Sequence, residues 1–415
     1  MRLKWLTWIM LLGALPLAMG CTTTPAASTE TDTAAAGDAD AASGADSVDS
    51  AAGSDAATAD ADAAGSDVAG DPLPKLSDME IGKFTEIKPG GATRCSRDTE
   101  FAFFVVRGKV DRLLLEFEGG GACWDTKTCS IGKALCKEDI KEDEAVIGGG
   151  AALAGIYDNS NPDNPFKDWH HVYVPYCTCD IHWGQNDQEY GEGDSEFTVM
   201  HRGATNARRV LDWVYANFEK PEKIFVTGCS AGAYGSLAWS PYVMQHYPTV
   251  PIVQMGDSGA GIITSTFLAD SFPNWHALDT MPSWIPALAK DKIDLTKMTL
   301  GDIYHHVALT YPTQMMSQYN TMFDENQTFY FKAMGGTDNV AWNQQMLASV
   351  QKIMSSTPNF RAFIAQGQQH CILPFANFYT TESNGKKLTS WMKDAIDGKM
   401  PESVQCANCS TPTAP

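Results

Sequence analysis

The stretch Ile224-Phe225-Val226-Thr227-Gly228-Cys229-Ser230-Ala231-Gly232-Ala233-Tyr234-Gly235 decides the fold. Ile224 to Thr227 form a β-branched and aromatic run. A Gly-x-Ser-x-Gly turn follows, and then a helix-compatible segment. That succession of strand, sharp turn and helix is what a nucleophilic serine requires. The corner is tight, so Gly228 and Gly232 remove Cβ atoms that would clash there. The new helix points free N–H groups, and its positive dipole end, towards developing negative charge. Ser230 is the candidate nucleophile, and the N–H of Ala231 is one candidate oxyanion donor.

A second glycine cluster stands upstream. Arg112 to Glu118 reads as a buried strand, preceded by another over Phe101 to Arg107 with a turn at Gly108. The second strand runs into Gly119-Gly120-Gly121-Ala122-Cys123-Trp124. Glycines directly after a strand let backbone N–H groups approach a substrate closely, so Gly120, Gly121 and Ala122 are the expected other half of an oxyanion hole. A third triplet, Gly148 to Gly150, follows a charged run and reads as a plain loop.

Between and after these signals the pattern alternates. His171 to Tyr176 reads as a strand and Thr205 to Phe218 as an amphipathic helix that feeds the nucleophile strand. Pro251 to Asp257 is the next strand, Gln314 to Met322 another, Asn339 to Ser355 a helix and Phe360 to Ala365 a last strand, with a short helix near Ser390. This is an α/β-hydrolase-like pattern: a mostly parallel sheet flanked by helices. Residues 262–312, rich in Trp, Pro and Met, read as a helical insertion over the active site.

A serine hydroxyl needs a base to take its proton. In this fold the partners follow in the order serine, acid, histidine, each on a loop after a strand. Asp324 and His370 meet both conditions. Asp257, Asp338, His305 and His306 are the competitors. The loop Cys177-Thr178-Cys179-Asp180-Ile181-His182-Trp183 offers His182 and Trp183 for substrate contact at the pocket rim. Cys-x-Cys is not a usual zinc spacing and no downstream pair matches it, so neither a metal nor a cofactor is expected.

The rest of the chain reads as delivery. Arg2 and Lys4 precede an apolar run to Leu17, and Leu17-Ala18-Met19-Gly20 precedes Cys21. Residues 1–20 therefore resemble a lipoprotein signal, with Cys21 lipidated as the membrane anchor. Residues 21–73 hold eleven acidic residues and no Lys or Arg, and are expected to form a disordered, self-repelling tether. The formal net charge is −20, with no basic stripe, which argues against a nucleic-acid partner. Residues 74–410 form the enzyme, expected to be a monomer. Ten cysteines follow Cys21, an even number that suits disulfides in an exported protein. Cys229, beside the nucleophile, is expected to be buried rather than bridged, which leaves another cysteine unpaired. Short bridges are expected among Cys123, Cys129 and Cys136, with one joining Cys371 or Cys95 to Cys406-Ala407-Asn408-Cys409.

Gly119 to Trp124, Gly228 to Gly232, Asp257-Ser258-Gly259, Phe323-Asp324-Glu325 and Gln369-His370-Cys371 together resemble the pectin acetylesterases and the related Notum carboxylesterases. Asn161-Pro162, Trp169, Tyr176-Cys177 and Asn206-Ala207-Arg208 fit as well, so the resemblance spans roughly residues 85–380. It implies a triad of Ser230, Asp324 and His370, with an oxyanion hole from Gly121 or Ala122 and from Ala231. Trp124 would shape the pocket floor. The order Ala122-Cys123-Trp124 and the residue Ala233 depart from the family pattern, and both bear on specificity. The expected function is an exported serine carboxylesterase that removes O-acetyl groups from a polysaccharide, in the manner of a pectin acetylesterase. A lipid or polyester hydrolase and a non-catalytic surface binding protein are the alternatives.

Overall fold

The computed structural model describes residues 72–140, 154–407 and 409. The signal segment, Cys21, the acidic stretch to residue 71 and the glycines 148–150 lie outside the described residues.

Ten strands are labelled in chain order. They are β1 (Phe84–Ile87), β2 (Phe103–Val106), β3 (Val110–Phe117), β4 (Trp169–Val174), β5 (Asn186–Tyr190), β6 (Phe197–His201), β7 (Lys223–Cys229), β8 (Ile252–Asp257), β9 (Met315–Thr321) and β10 (Phe360–Ala365). A nine-stranded sheet runs β1-β2-β4-β3-β7-β8-β9-β10 and ends on a short edge strand, Val404–Gln405. β1, β2 and β4 pair antiparallel at one side. From β4 onward every neighbouring pair is parallel. β2 and β3 are consecutive but not paired, because β4 lies between them. β5 and β6 form a separate hairpin that the sequence pattern did not disclose.

Helices cover both faces of the central strands, which is why β7 and β8 read as continuous apolar runs rather than alternating ones. The helix Ala231–His246 packs on β3, β7 and β8 and is apolar nearly all round, as a helix sunk in a core should be. Gly203–Asn217 packs against it, its buried face carrying Ala207, Val210, Leu211 and Val214.

The segment 262–312 divides its work. Ile262, Ile263, Phe267 and Leu300 reach the cleft beside Ser230. The helix Leu300–Thr310 itself packs on β9, β10 and the helix Asn339–Ser356, so it flanks the sheet instead of covering the site.

The disulfides differ from the expectation in instructive ways. They join Cys95–Cys177, Cys123–Cys129, Cys136–Cys179, Cys229–Cys371 and Cys406–Cys409. Cys229 is bridged, so no cysteine after Cys21 is left over, and Cys136 reaches across to Cys179 instead of pairing locally. The C-terminal pair closes on itself, not on Cys95 or Cys371. Among the described residues no helix is long and apolar enough to cross a membrane.

Candidate active site

Five loops leave the carboxyl ends of adjacent parallel strands and converge, the usual place for a site in a sheet of this kind. They follow β3 (Glu118 to Gly121), β7 (Ser230), β8 (Ser258), β9 (Asp324) and β10 (His370).

Ser230 stands at the corner with φ 58° and ψ −121°, a left-handed conformation that a residue with a Cβ adopts only under constraint. The constraint is visible on every side. A Cβ on Gly232 would lie 1.9 Å from the Phe117 carbonyl oxygen, and one on Gly228 would lie 2.3 Å from that of Gly232. Ser230 N–H donates to the Asp257 carbonyl at 2.9 Å, and Ser230 O accepts from Ala233 N at 2.9 Å. The corner is locked between the ends of β3 and β8.

Asp324 is fully buried and caps the helix Glu325–Ala333. Its Oδ1 accepts from Asn326 N at 3.0 Å and Gln327 N at 2.9 Å, and its Oδ2 accepts from Gln327 Nε2 at 3.1 Å. His370 Nδ1 lies 2.9 Å from both carboxylate oxygens. With Nδ1–H donating to the Asp324 carboxylate, Nε2 is the ring nitrogen left to accept. Nε2 is buried and has no hydrogen-bond partner among the described residues. Ser230 and His370 line the same cleft.

The loop that carries His370 is held from below. Cys371 is bonded to Cys229, so the residue before the serine and the residue after the histidine are covalently joined. Cys371 N donates to Ser258 Oγ at 2.9 Å. Asp257 accepts from Ile372 N and Leu373 N, each at 2.9 Å through Oδ2. Asp257, a competitor for the acid, is thus a clamp on this loop, and burial pushes its carboxyl up to about 7. Asp338 caps the helix Asn339–Ser356 through Ala341 N at 2.8 Å. His305 bonds Ser356 Oγ on that helix, and neither it nor His306 lines the cleft.

His182 and Trp183 are not at the rim. Both are buried, the His182 Nε2–H donating to the Glu118 carbonyl at 2.8 Å and Trp183 Nε1–H to the Tyr234 carbonyl at 2.8 Å. Burial pushes the His182 imidazole down to about 4. The physical reason is the loop itself. Cys179, Ile181 and His182 all have positive φ, and Asp180 gathers Thr178 Oγ1, His182 N and Gly203 N around its carboxylate. The turn folds inward behind the glycine loop, and only Ile181 emerges into the cleft. Cys177 and Cys179 are both in disulfides and offer no thiolate to a metal.

Two clefts meet at Ser230. One, about 70 Å³, is lined mainly by Trp124, Ile181, Ile262, Ile263, Phe267, Leu300 and Met334, with Gly121, Ala122 and Ala231 at the serine. The other, about 420 Å³, is lined by Glu116, Glu118, Gly119, Gly120, Tyr157, Tyr173 and Asn326. Gly121, Tyr330, Ser230 and His370 border both. The expected oxyanion residues therefore flank the serine, and Trp124 is a wall of the apolar side. Gln327 escaped the sequence reading, yet Asp324-Glu325-Asn326-Gln327 carries the spacing of a capping box and signals that Gln327 folds back on Asp324.

Residues 88–285 match the family model for pectinacetylesterase. Pectin acetylesterase 11 of Arabidopsis thaliana is 30% identical over 129 residues, 31% of this chain and 31% of its own length. The palmitoleoyl-protein carboxylesterase Notum of Schmidtea mediterranea is 30% identical over 131 residues, 30% of this chain and 23% of its own. The chain thus spans about a third or less of the curated relatives it matches. The Wnt deacylase Notum from Drosophila has the same fold, with a TM-score of 0.55 at 14% identity over 76% of this chain and 93% of that one.

Proposed function

We propose, from the match of residues 88–285 to the pectinacetylesterase family model, that the chain is a serine carboxylesterase that removes O-acetyl groups from a polysaccharide. One observation carries the mechanism. His370 is held by Asp324 through Nδ1 while its Nε2 stays buried, without a partner among the described residues, and its ring lines the cleft of Ser230.

His370 Nε2 takes the Ser230 proton as Oγ attacks the ester carbon. The Asp324 carboxylate steadies the imidazolium that forms. Backbone N–H groups among Gly120, Gly121, Ala122 and Ala231 receive the carbonyl oxygen as it gains charge. The imidazolium returns its proton to the departing alcohol, leaving an acyl-serine. Water, deprotonated by the same Nε2, attacks the acyl carbon, and the imidazolium returns that proton to Ser230 Oγ as the acid leaves. Every step uses this chain's own groups. The narrowness of the apolar cleft favours a short acyl group there, and the wider polar cleft suits a bulky alcohol. The disulfides fit an oxidising compartment, and with the signal-like residues 1–20 they support export, with Cys21 as lipid anchor.

The apolar lining also favours a second reading, a fatty-acyl or polyester hydrolase. Initial rates on p-nitrophenyl acetate, butyrate and octanoate, beside acetate release from acetylated polysaccharides, separate the two. A preference for acetate that is lost in Ser230→Ala supports the first reading. A preference for octanoate supports the second. Equal rates in wild type and variant remove Ser230 as nucleophile.

A further inference from the structure

Resting on that esterase reading, we propose that the polar cleft holds the alcohol half of the ester and that the sugar it selects is uncharged, not a uronate. The cleft is large enough for the alcohol half, and it opens directly from Ser230 and His370. Its floor is the end of β3. Glu116 is 3% exposed, accepting from Tyr157 OH at 2.6 Å and from the His171 Nε2–H at 2.7 Å. Glu118 accepts from Lys137 Nζ at 2.7 Å and 2.8 Å and from Tyr176 N at 2.8 Å.

Among the described residues that line this cleft there are two carboxylates and no Lys or Arg. Lys137 is not among those lining residues; its ammonium pairs with Glu118 at 2.7 Å. A uronate carboxylate entering here would shed water, meet Glu116 and find no guanidinium or ammonium among the described lining residues to pair with. The hydroxyls of a neutral sugar both donate and accept, which suits carboxylate and tyrosyl oxygens. Like charges set against each other are how an interface rejects a wrong partner.

The test compares kcat/KM for acetate release from acetylated glucomannan, a neutral polymer, and from acetylated homogalacturonan, a polyuronate, per mole of acetyl ester. The neutral polymer is expected to win by about tenfold or more at low salt. The gap should narrow as salt screens the repulsion. Glu118→Gln removes one negative charge from the cleft and should narrow the gap by about threefold, and Lys137→Gln, which removes a positive charge beside it, should widen it. Each ratio is taken within one protein, so a partial loss of folding cancels. Equal or better rates on the polyuronate, or ratios unmoved by salt and by both variants, overturn the inference while leaving the esterase reading intact. Turnover of p-nitrophenyl acetate with acetate released from neither polymer overturns the polysaccharide reading, and this inference falls with it.

Discussion

The two clefts that meet at Ser230 are built from different parts of the molecule. The polar one takes Glu116 of β3 and Tyr173 of β4 into its floor and wall, and the loop after β3 and the helix Glu325–Ala333 complete it. The apolar one is walled by Trp124, Ile181, Ile262, Ile263 and Phe267, which come from loops and a helix outside the sheet. Side chains on paired strands are fixed in register, whereas loop side chains are set by local packing. In this account strand residues contribute to the alcohol side alone, and the acyl side is lined by loops and helices.

The largest expected effect strikes what the clefts share. Replacing both Cys229 and Cys371 by serine cuts the staple between the nucleophile and base loops, which closes 142 residues of chain. Stability should fall by about 2–5 kcal/mol, read from urea unfolding. Turnover of p-nitrophenyl acetate should drop by about tenfold, because serine and histidine are no longer fixed within reach of each other. A double variant with undiminished turnover would show that the β8 contacts suffice to hold both loops.

A smaller effect sharpens the difference between the sides. Ile263→Ala widens only the apolar cleft, so the butyrate-to-acetate rate ratio should rise about fivefold, within the range that one or two methylenes command. The preference between neutral and uronate polymers should not move. If both preferences shift together, the clefts are not separate subsites.

The smallest effect is a slope with pH. Asp257 is held up to about 7 by burial, above its ordinary value of 3.8. The folded state therefore keeps a proton that the unfolded chain has lost, and the stabilisation this brings is present below pH 3.8 and fades as pH rises through about 7. Asp257→Asn keeps an acceptor for Ile372 N and Leu373 N without that titration. Its stability relative to wild type should rise steadily between about pH 4 and pH 7, measured by chemical denaturation, and a constant difference would contradict the assignment.

The fold was largely legible because β7 and its glycine corner obey a local rule: the steric demands at Ser230 are written in the two residues on either side of it. Asp324 and His370 were legible through chain order and strand-end placement. His182 and Trp183 were misread because the inward fold of their loop depends on the Asp180 carboxylate and the Cys136–Cys179 bond, neither of which leaves a sequence period. The Cys229–Cys371 bond was readable in principle. If Ser230 and His370 must come within hydrogen-bond reach, the cysteines beside them are brought towards disulfide reach as well. The two clefts were not readable, since their walls come from segments far apart in sequence whose meeting only the tertiary fold decides.

The central claim is that Ser230 carries the acyl group. The most direct test is rapid acid quench of the protein during turnover of p-nitrophenyl acetate, followed by peptide mass mapping. The account predicts one acetyl group on the peptide that contains Ser230, absent in Ser230→Ala and scarcely formed in His370→Ala. An acetyl group mapped to another residue, or steady turnover by Ser230→Ala, would contradict it.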